Sequence, residues 1–444
     1  MSKLKPYDKY QPVQYDYVAE VPQGWKLLPN IAIFEERIER GFIDEELLSV
    51  TIGRGVIRQT DVDIKKDSSN EDKSKYKLIK VGDIAYNRMR MWQGALGYSD
   101  YRGITSPAYV ILKPKMKINQ RFFHYMFRTR FYTNYSKRFS YGIVDDQLSL
   151  RYVDFKRMYT IVPTLETQNE IVTYLDRKTK KTREFIQRKK RLIELLEEEK
   201  KNLIDTAYIQ GLDPNTEYQS TGKDWITEIP EGWTLLPLKY LTRVISKGTT
   251  PSTEGQGMTD EGIRYIKAEN IFYSELVDTP AFFINENTHK ILSRSQLKEN
   301  DILFVIAGAT IGKVAMVSSS KLPANTNQAV SFIRLKKKID VEYCFYWLQS
   351  SFVHTITWLT AVQSAQPNLA MEDLGNILIP IPNNDEEKNQ IVAYIIDEHK
   401  KLNALITSAN SEIEKAKEFE ESLITQVVTG QLKVPTLTPE KVLN

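Results

Sequence analysis

The stretch Asp16-Tyr17-Val18-Ala19-Glu20-Val21-Pro22-Gln23-Gly24-Trp25-Lys26-Leu27-Leu28-Pro29 returns 208 residues later as Asp224-Trp225-Ile226-Thr227-Glu228-Ile229-Pro230-Glu231-Gly232-Trp233-Thr234-Leu235-Leu236-Pro237. Asp, Glu, Pro, Gly, Trp, Leu, Leu and Pro recur in place, so the chain is an internal duplication. A second pair, Ile171-Val172-Thr173-Tyr174-Leu175 and Ile391-Val392-Ala393-Tyr394-Ile395, is offset by 220, and that offset still holds at Leu203-Ile204 against Leu423-Ile424. One inserted residue would rotate a helix face by about 100°. A block that keeps its length therefore reads as a helix whose register matters, and each half is a divergent block followed by a length-locked one.

In the first locked block, apolar or small residues fall at Leu175, Thr179, Thr182, Ile186, Ile193, Leu196, Leu203 and Ala207, with Lys189 and Lys200 in the remaining seam positions. The second copy reads Ile395, His399, Leu402, Ile406, Ala409, Ile413, Ala416, Glu420, Leu423 and Val427. Alternating spacings of three and four over more than three heptads predict a coiled coil. Gly211 and Gly430, with Pro214 and Pro435 beyond, supply the stops. About 40 residues at about 1.5 Å each make a rod of about 60 Å. Two matched rods in one chain pair most simply with each other, antiparallel. The basic stretch Arg177–Arg191 has no basic counterpart around Asp397–Ser411, so it reads as a solvated helix face.

The divergent blocks, residues 30–160 and 238–380, mix strand-like runs such as Ala108–Leu112 and Ile302–Ile306 with helical stretches such as Gln120–Arg130 and Val341–Gln349. Both place a Gly-rich turn after an Asp-Ile strand start: Gly82-Asp83-Ile84 leads to Gly94-Ala95-Leu96-Gly97, and Asn300-Asp301-Ile302 to Gly308-Ala309-Thr310-Ile311-Gly312. One fold with two sets of surface residues suits two targets at a fixed separation, such as half-sites on duplex DNA. Arg, Lys, Asn and Gln can read guanine or adenine edges, and Gly allows close backbone approach. The first block offers Arg54, Arg58, Asn87, Arg88, Arg90, Gln93, Tyr141 and Gln147. The second offers Lys247, Thr249, Lys267, Asn270, Lys313, Asn327, Gln328, Gln363 and Gln366. Charge is uneven: residues 1–160 carry 28 Lys and Arg against 19 Asp and Glu, residues 213–380 carry 15 against 18. The second block must therefore segregate its charge or borrow it.

Other chemistry finds little support. The 444 residues carry a net charge of +4 with 41% hydrophobic and 27% charged residues, the profile of a folded protein that is no general polyanion binder. The single cysteine, Cys344, excludes intrachain disulfides and multi-cysteine zinc sites, and the four histidines lie far apart. No apolar run suits a membrane span or a signal peptide, which gives a cytoplasmic expectation. Gly308–Lys313 imitates a phosphate loop, but it has three residues between its glycines where that loop needs four, and Val314 follows the lysine. Asp61, Asp63 and Asp67 near Lys65 and Lys66 read as a polar loop before a nuclease centre.

Asp224–Trp233, the Gly308-Ala309-Thr310-Ile311-Gly312-Lys313 turn followed by Asn325-Thr326-Asn327-Gln328-Ala329, and the helix starts Gln168-Asn169-Glu170-Ile171-Val172 and Lys388-Asn389-Gln390-Ile391-Val392 together resemble the specificity subunit of Type I restriction-modification systems. So does the segment from Gly82-Asp83-Ile84 to Thr105-Ser106-Pro107-Ala108-Tyr109. The resemblance implies an α+β chain: two pseudo-repeated target-recognition domains (1–160 and 213–380) separated by two long helices (161–212 and 381–444) that form an antiparallel coiled coil. It implies a non-catalytic subunit that reads a bipartite DNA site, with the helices as ruler and dock for two methyltransferase subunits and, through them, the endonuclease and motor subunits. S-adenosylmethionine, ATP and Mg are then expected on the partners and no cofactor here. Ile186, Ile193, Leu196, Leu203, Ile406, Ile413 and Leu423 are the expected coiled-coil and partner-binding residues. The first block departs from the pattern in having Gly94-Ala95-Leu96-Gly97 in place of the Gly-Ala-Thr-Ile-Gly-Lys form. The competing reading is a coiled-coil scaffold or adaptor that never touches DNA.

Overall fold

The structure is a computed structural model and describes residues 4–15, 17–62, 72–142, 148–272, 274–361 and 367–436. Contacts divide the chain into two units, residues 1–189 with 411–444, and residues 190–410. These divisions differ from the sequence boundaries because each unit takes part of both long helices, Leu165–Gln210 and Asp385–Val428.

In the first unit an antiparallel four-stranded sheet runs Phe34–Glu36, Tyr109–Pro114, Ile84–Asn87, Leu96–Tyr98 in spatial order. In the second unit the order Thr242–Lys247, Val330–Leu335, Ile302–Val305, Val314–Met316 repeats it. A buried carboxylate marks the same corner of each sheet. Asp83 takes two hydrogen bonds from Arg37, and Asp301 two from Arg334. A two-stranded ribbon recurs as well, Lys26–Pro29 with Tyr159–Val162 and Thr234–Pro237 with Leu378–Ile381. The offset drift has a visible source. The second unit adds Phe283–Ile284 and the helix Glu286–Ile291 around Ile263–Ile266, which pairs with Ala324–Thr326; among the described residues the first unit has Lys77–Ile79 against Gly103–Thr105, with Leu47 bridging Ile104.

Two short helices lie on each sheet: Gln120–Arg128 and Arg130–Arg138 in the first unit, Ile339–Trp347 and Ser351–Ala361 in the second. In the first pair the side chains of Asn119 and Thr129 cap the N-termini, each accepting a backbone N–H. Phe34, Phe122, Phe123, Phe127, Tyr132 and Phe155 are all under 2% exposed in the core beneath.

The long helices run antiparallel in each unit by itself. In the first, Leu175 shares a core with Leu423 and Val427, and the Lys189 ammonium pairs with Glu412 at 2.7 Å. In the second, Ile204 shares a core with Ile391 and Ile395, and His399 donates to the Lys200 carbonyl at 3.1 Å. The fold is thus α+β, a duplicated mixed domain joined to an antiparallel coiled-coil pair.

The repeated Pro-x-Gly-Trp stretch closes a helix end in each unit. A Cβ on Gly430 would lie 2.5 Å from Pro22 and 3.0 Å from Trp25, while Gly211 faces Pro230 and Trp233 at 3.5 and 3.7 Å. Both glycines hold left-handed backbone, with φ of +79° and +72°, which is why a glycine ends each helix.

Candidate nucleic-acid interface

In the first unit, strand Ile84–Asn87 ends in a loop that a short 3-10 turn, Met91–Gln93, folds back onto helix Arg130–Arg138. The Asn87 side chain steadies the exit by accepting the Met89 N–H at 2.9 Å. Arg90 and Gln93 are exposed, and no side-chain hydrogen bond or ion pair among the described residues holds the Arg90 guanidinium. Arg88 is half-buried; its Nε is enclosed and has no hydrogen-bond partner, as has Trp92 Nε1. The Lys137 ammonium lies 5.1 Å over the Trp92 ring. Leu150 donates its N–H to the Arg88 carbonyl, and Ser149 bridges to Tyr141, which is 61% exposed under the Arg151 guanidinium.

The hairpin Leu48–Thr51/Gly55–Arg58 brings its tip to the same edge through the bridge between Ile52 and Ala95. Gly55 and Gly97 face each other closely: a Cβ on Gly55 would lie 3.3 Å from the Gly97 Cα, and one on Gly97 would lie 2.7 Å from the Gly55 Cα. Arg54, Asn87, Arg88, Arg90, Gln93 and Tyr141 therefore converge on one edge. Arg58 does not: it sits at the other end of the hairpin, paired with Glu46 at 3.5 Å and stacked on Tyr101. Gln147 lies outside the described residues, as do Asp63, Lys65, Lys66 and Asp67. Lys137 and Arg151 also join the edge, over the Trp92 and Tyr141 rings, and neither stands out in the sequence except that Lys137 lies in a helix's last turn.

In the second unit Lys247 ends strand Thr242–Lys247, and Gly248 lets that end press on its neighbour. A Cβ there would meet the Thr326 carbonyl oxygen at 2.0 Å. Thr249 donates its N–H to the same carbonyl, and the Thr250 hydroxyl binds the exposed Gln328 side chain. Asn327 follows directly, its Oδ1 enclosed without a partner. Lys267 is close by, since Ile266 pairs with Thr326, but its ammonium lies 3.5 Å over the Phe282 ring. Asn270 belongs to the scaffold: it is 2% exposed, accepts the Lys267 N–H and donates to the Val277 and Pro280 carbonyls, so it has no face left for a base. Lys313 stands apart, in a cavity against the first long helix. Gln363 and Gln366 lie outside the described residues.

The coiled-coil candidates face the opposite helix. Ile413 is 4% and Leu423 7% exposed, and Ile186, Ile193, Leu196, Leu203 and Ile406 are half-buried. Leu192, Leu195 and Leu405, each one residue before the seam, are 40%, 46% and 54% exposed.

One histidine of the first unit, His124, is held neutral. The Tyr98 N–H donates to His124 Nδ1 at 3.1 Å and Arg128 approaches Nε2 at 3.3 Å, so a protonated ring would meet donors on both sides. Burial, then Arg128, pushes its pKa down to about 3. Below pH about 6.5 the unfolded chain takes up a proton that the folded chain refuses. Stability should therefore fall by up to about 1.4 kcal/mol per pH unit from pH about 6.5 toward 3. His124→Gln should flatten that slope in urea melts at stepped pH; an unchanged slope would place the acid sensitivity elsewhere.

Known proteins share the fold and part of the sequence. The pattern of the type I restriction modification DNA specificity domain covers residues 230–415. The MjaVIII type I restriction enzyme specificity subunit of Methanocaldococcus jannaschii is 24% identical over 377 residues, 82% of this chain and 84% of the relative. The putative MjaX specificity subunit of the same organism is 24% identical over 437 residues, 94% and 96% of the two chains. A chain solved in work on complex assembly and conformational transition of the type I R-M system aligns with a TM-score of 0.66 at 16% identity, over 93% of this chain and 99% of that one. In sequence and in fold the chain resembles type I restriction specificity subunits.

The first block departs from the specificity-subunit turn in residues and in part of its backbone. Gly94 and Gly312 both hold left-handed backbone (φ +84° and +88°), and each faces a helical threonine, Thr133 at 4.0 Å and Thr357 at 3.9 Å. The two turns share this one left-handed glycine and differ before it: Gly308 is also left-handed (φ +90°), whereas the first turn runs through Arg90 (φ −131°) into the 3-10 turn Met91–Gln93. Among the described residues no group of three or more His, Cys, Asp and Glu side chains could hold a metal ion, and no helix is long and apolar enough to cross a membrane.

Proposed function

We propose that this chain is the DNA-reading subunit of a type I restriction-modification complex. Its first recognition domain reads one half-site through the edge bearing Arg54, Asn87, Arg90, Gln93 and Tyr141. Its second reads the other through Lys247, Thr249, Asn327 and Gln328. The observation that carries the reading is the pairing of one sheet topology, present twice, with two different sets of exposed cationic and amide side chains. The helices act as ruler, and Leu192, Leu195 and Leu405 offer an apolar strip to a methyltransferase subunit. On this reading the chain works in the cytoplasm without catalysis, and S-adenosylmethionine, ATP and Mg serve the methyltransferase and endonuclease subunits.

Gel-shift titration on mixed-sequence duplex DNA, with the purified chain alone and with its methyltransferase partner, tests this. Binding that tightens with the partner and weakens steeply with salt is expected. A partner complex that forms yet never shifts DNA would favour the scaffold reading.

A further inference from the structure

The basic stretch Arg177–Arg191 reads from sequence as a solvated face, yet Lys180 and Arg183 line a cavity of about 480 Å³ between the helices and the first recognition domain. Arg121 and Arg128 enter from the domain, Lys417 from the second long helix, and Gly53 forms the rim beside Arg54. Arg128 is half-buried, and its partners are neutral: the Gly53 carbonyl and the His124 ring. The carboxylates present are largely engaged. Asp176 binds Arg121 and the Tyr125 hydroxyl, Glu421 binds Arg130, and burial raises the pKa of Glu420. Five Lys and Arg face three carboxylates.

The second unit builds the same feature from other residues. A cavity of about 450 Å³ takes Lys313 from the Gly-Ala-Thr-Ile-Gly-Lys turn and Lys200 and Lys201 from the first long helix, against the single carboxylate Glu197. His354 and His399 line it, both lowered by burial and so neutral near pH 7. The cationic excess is two charges in each cavity, although the second recognition domain is itself acidic. The missing charge comes from the long helix.

Resting on the DNA-reading function above, we propose that each cavity grips the phosphate backbone of the duplex beside its half-site. Lys180 and Arg183 do so in the first unit, Lys201 and Lys313 in the second. These residues position DNA and do not read bases. The cavities adjoin the reading segments, as Gly53 precedes Arg54 at the first rim and Gly308–Gly312 continues a strand of the recognition sheet at the second.

The test is the salt dependence of binding by the full chain, with its methyltransferase partner, to a mixed-sequence duplex. The variants are Lys180→Gln/Arg183→Gln and Lys201→Gln/Lys313→Gln. The slope of log K against log salt should become shallower by about 1.8 for each pair, about 0.9 per lost phosphate contact. Methylated half-sites should stay the same, and Lys201→Arg/Lys313→Arg should restore the slope. An unchanged slope overturns the proposal, and so does a changed half-site preference, which would make these residues base readers. Retained slope with lost methyltransferase binding would reassign the cavities to a protein interface. If the unaltered complex binds no DNA, the function proposed above fails with it; if it binds and the variants keep its slope, this inference fails alone.

Discussion

Arg90→Ala is expected to weaken or relax recognition of one half-site and leave the other intact. Arg90 stands exposed on the loop that follows strand Ile84–Asn87, with its backbone fixed by the turn at Met91–Gln93 and its guanidinium unclaimed among the described residues. A guanidinium placed this way can make two parallel hydrogen bonds to a guanine edge, and its loss costs about 1–3 kcal/mol of discrimination at that base pair, about 5- to 150-fold. Arg88 is the poorer choice for the test. Its Nε is enclosed and its carbonyl accepts from Leu150, so truncating it disturbs the loop as well as the contact. Methylation assays on duplexes altered in one half at a time check the prediction, and equal loss at both halves would refute the assignment of this loop to one half-site.

The second large effect concerns spacing. One heptad added to both helices, after Ile193 and between Ile406 and Ala409, should shift the preferred gap between half-sites by about three base pairs and leave the half-sites themselves unchanged. Seven residues preserve the seam and lengthen each helix by about 10 Å, against about 3.4 Å per base pair. Both helices must grow together, because Lys189 pairs with Glu412 and Lys200 with His399 on either side of the insertion. An insertion in one helix alone would set the second seam out of register and lower stability. A lengthened pair that keeps its original gap would remove the helices from the role of ruler.

The duplication, the coiled coil and the shared domain fold were legible because they depend on local rules: apolar spacing, glycine stops and a Trp that must cover a helix end. Asp83 and Asp301 align in the sequence, while their Arg partners do not, since Arg37 follows the strand Phe34–Glu36 and Arg334 lies within Val330–Leu335. Helices Arg130–Arg138 and Ser351–Ala361 are not legible in the sequence. The first is rich in Tyr and polar residues and the second in β-branched ones, so neither shows strong helical propensity, and packing on the sheet decides both.

The candidate site was legible only in part. Asn270 has a base reader's side chain, yet both its ends serve the turn that carries it. Lys313 looked like a phosphate-loop lysine in a loop of its own, but tertiary folding sets it against Lys200 and Lys201, more than a hundred residues earlier. Single-chain composition could not show that the acidic second domain draws its cations from a helix.

The central claim is that this chain selects a bipartite DNA sequence for its partners. Genome-wide mapping of methylated adenines, with and without this gene, measures that directly. One asymmetric motif, two short specified halves around a fixed unspecified gap, is expected to be methylated only when the gene is present. Adenine methylation that does not change when the gene is removed, in cells making the methyltransferase partner, would contradict it.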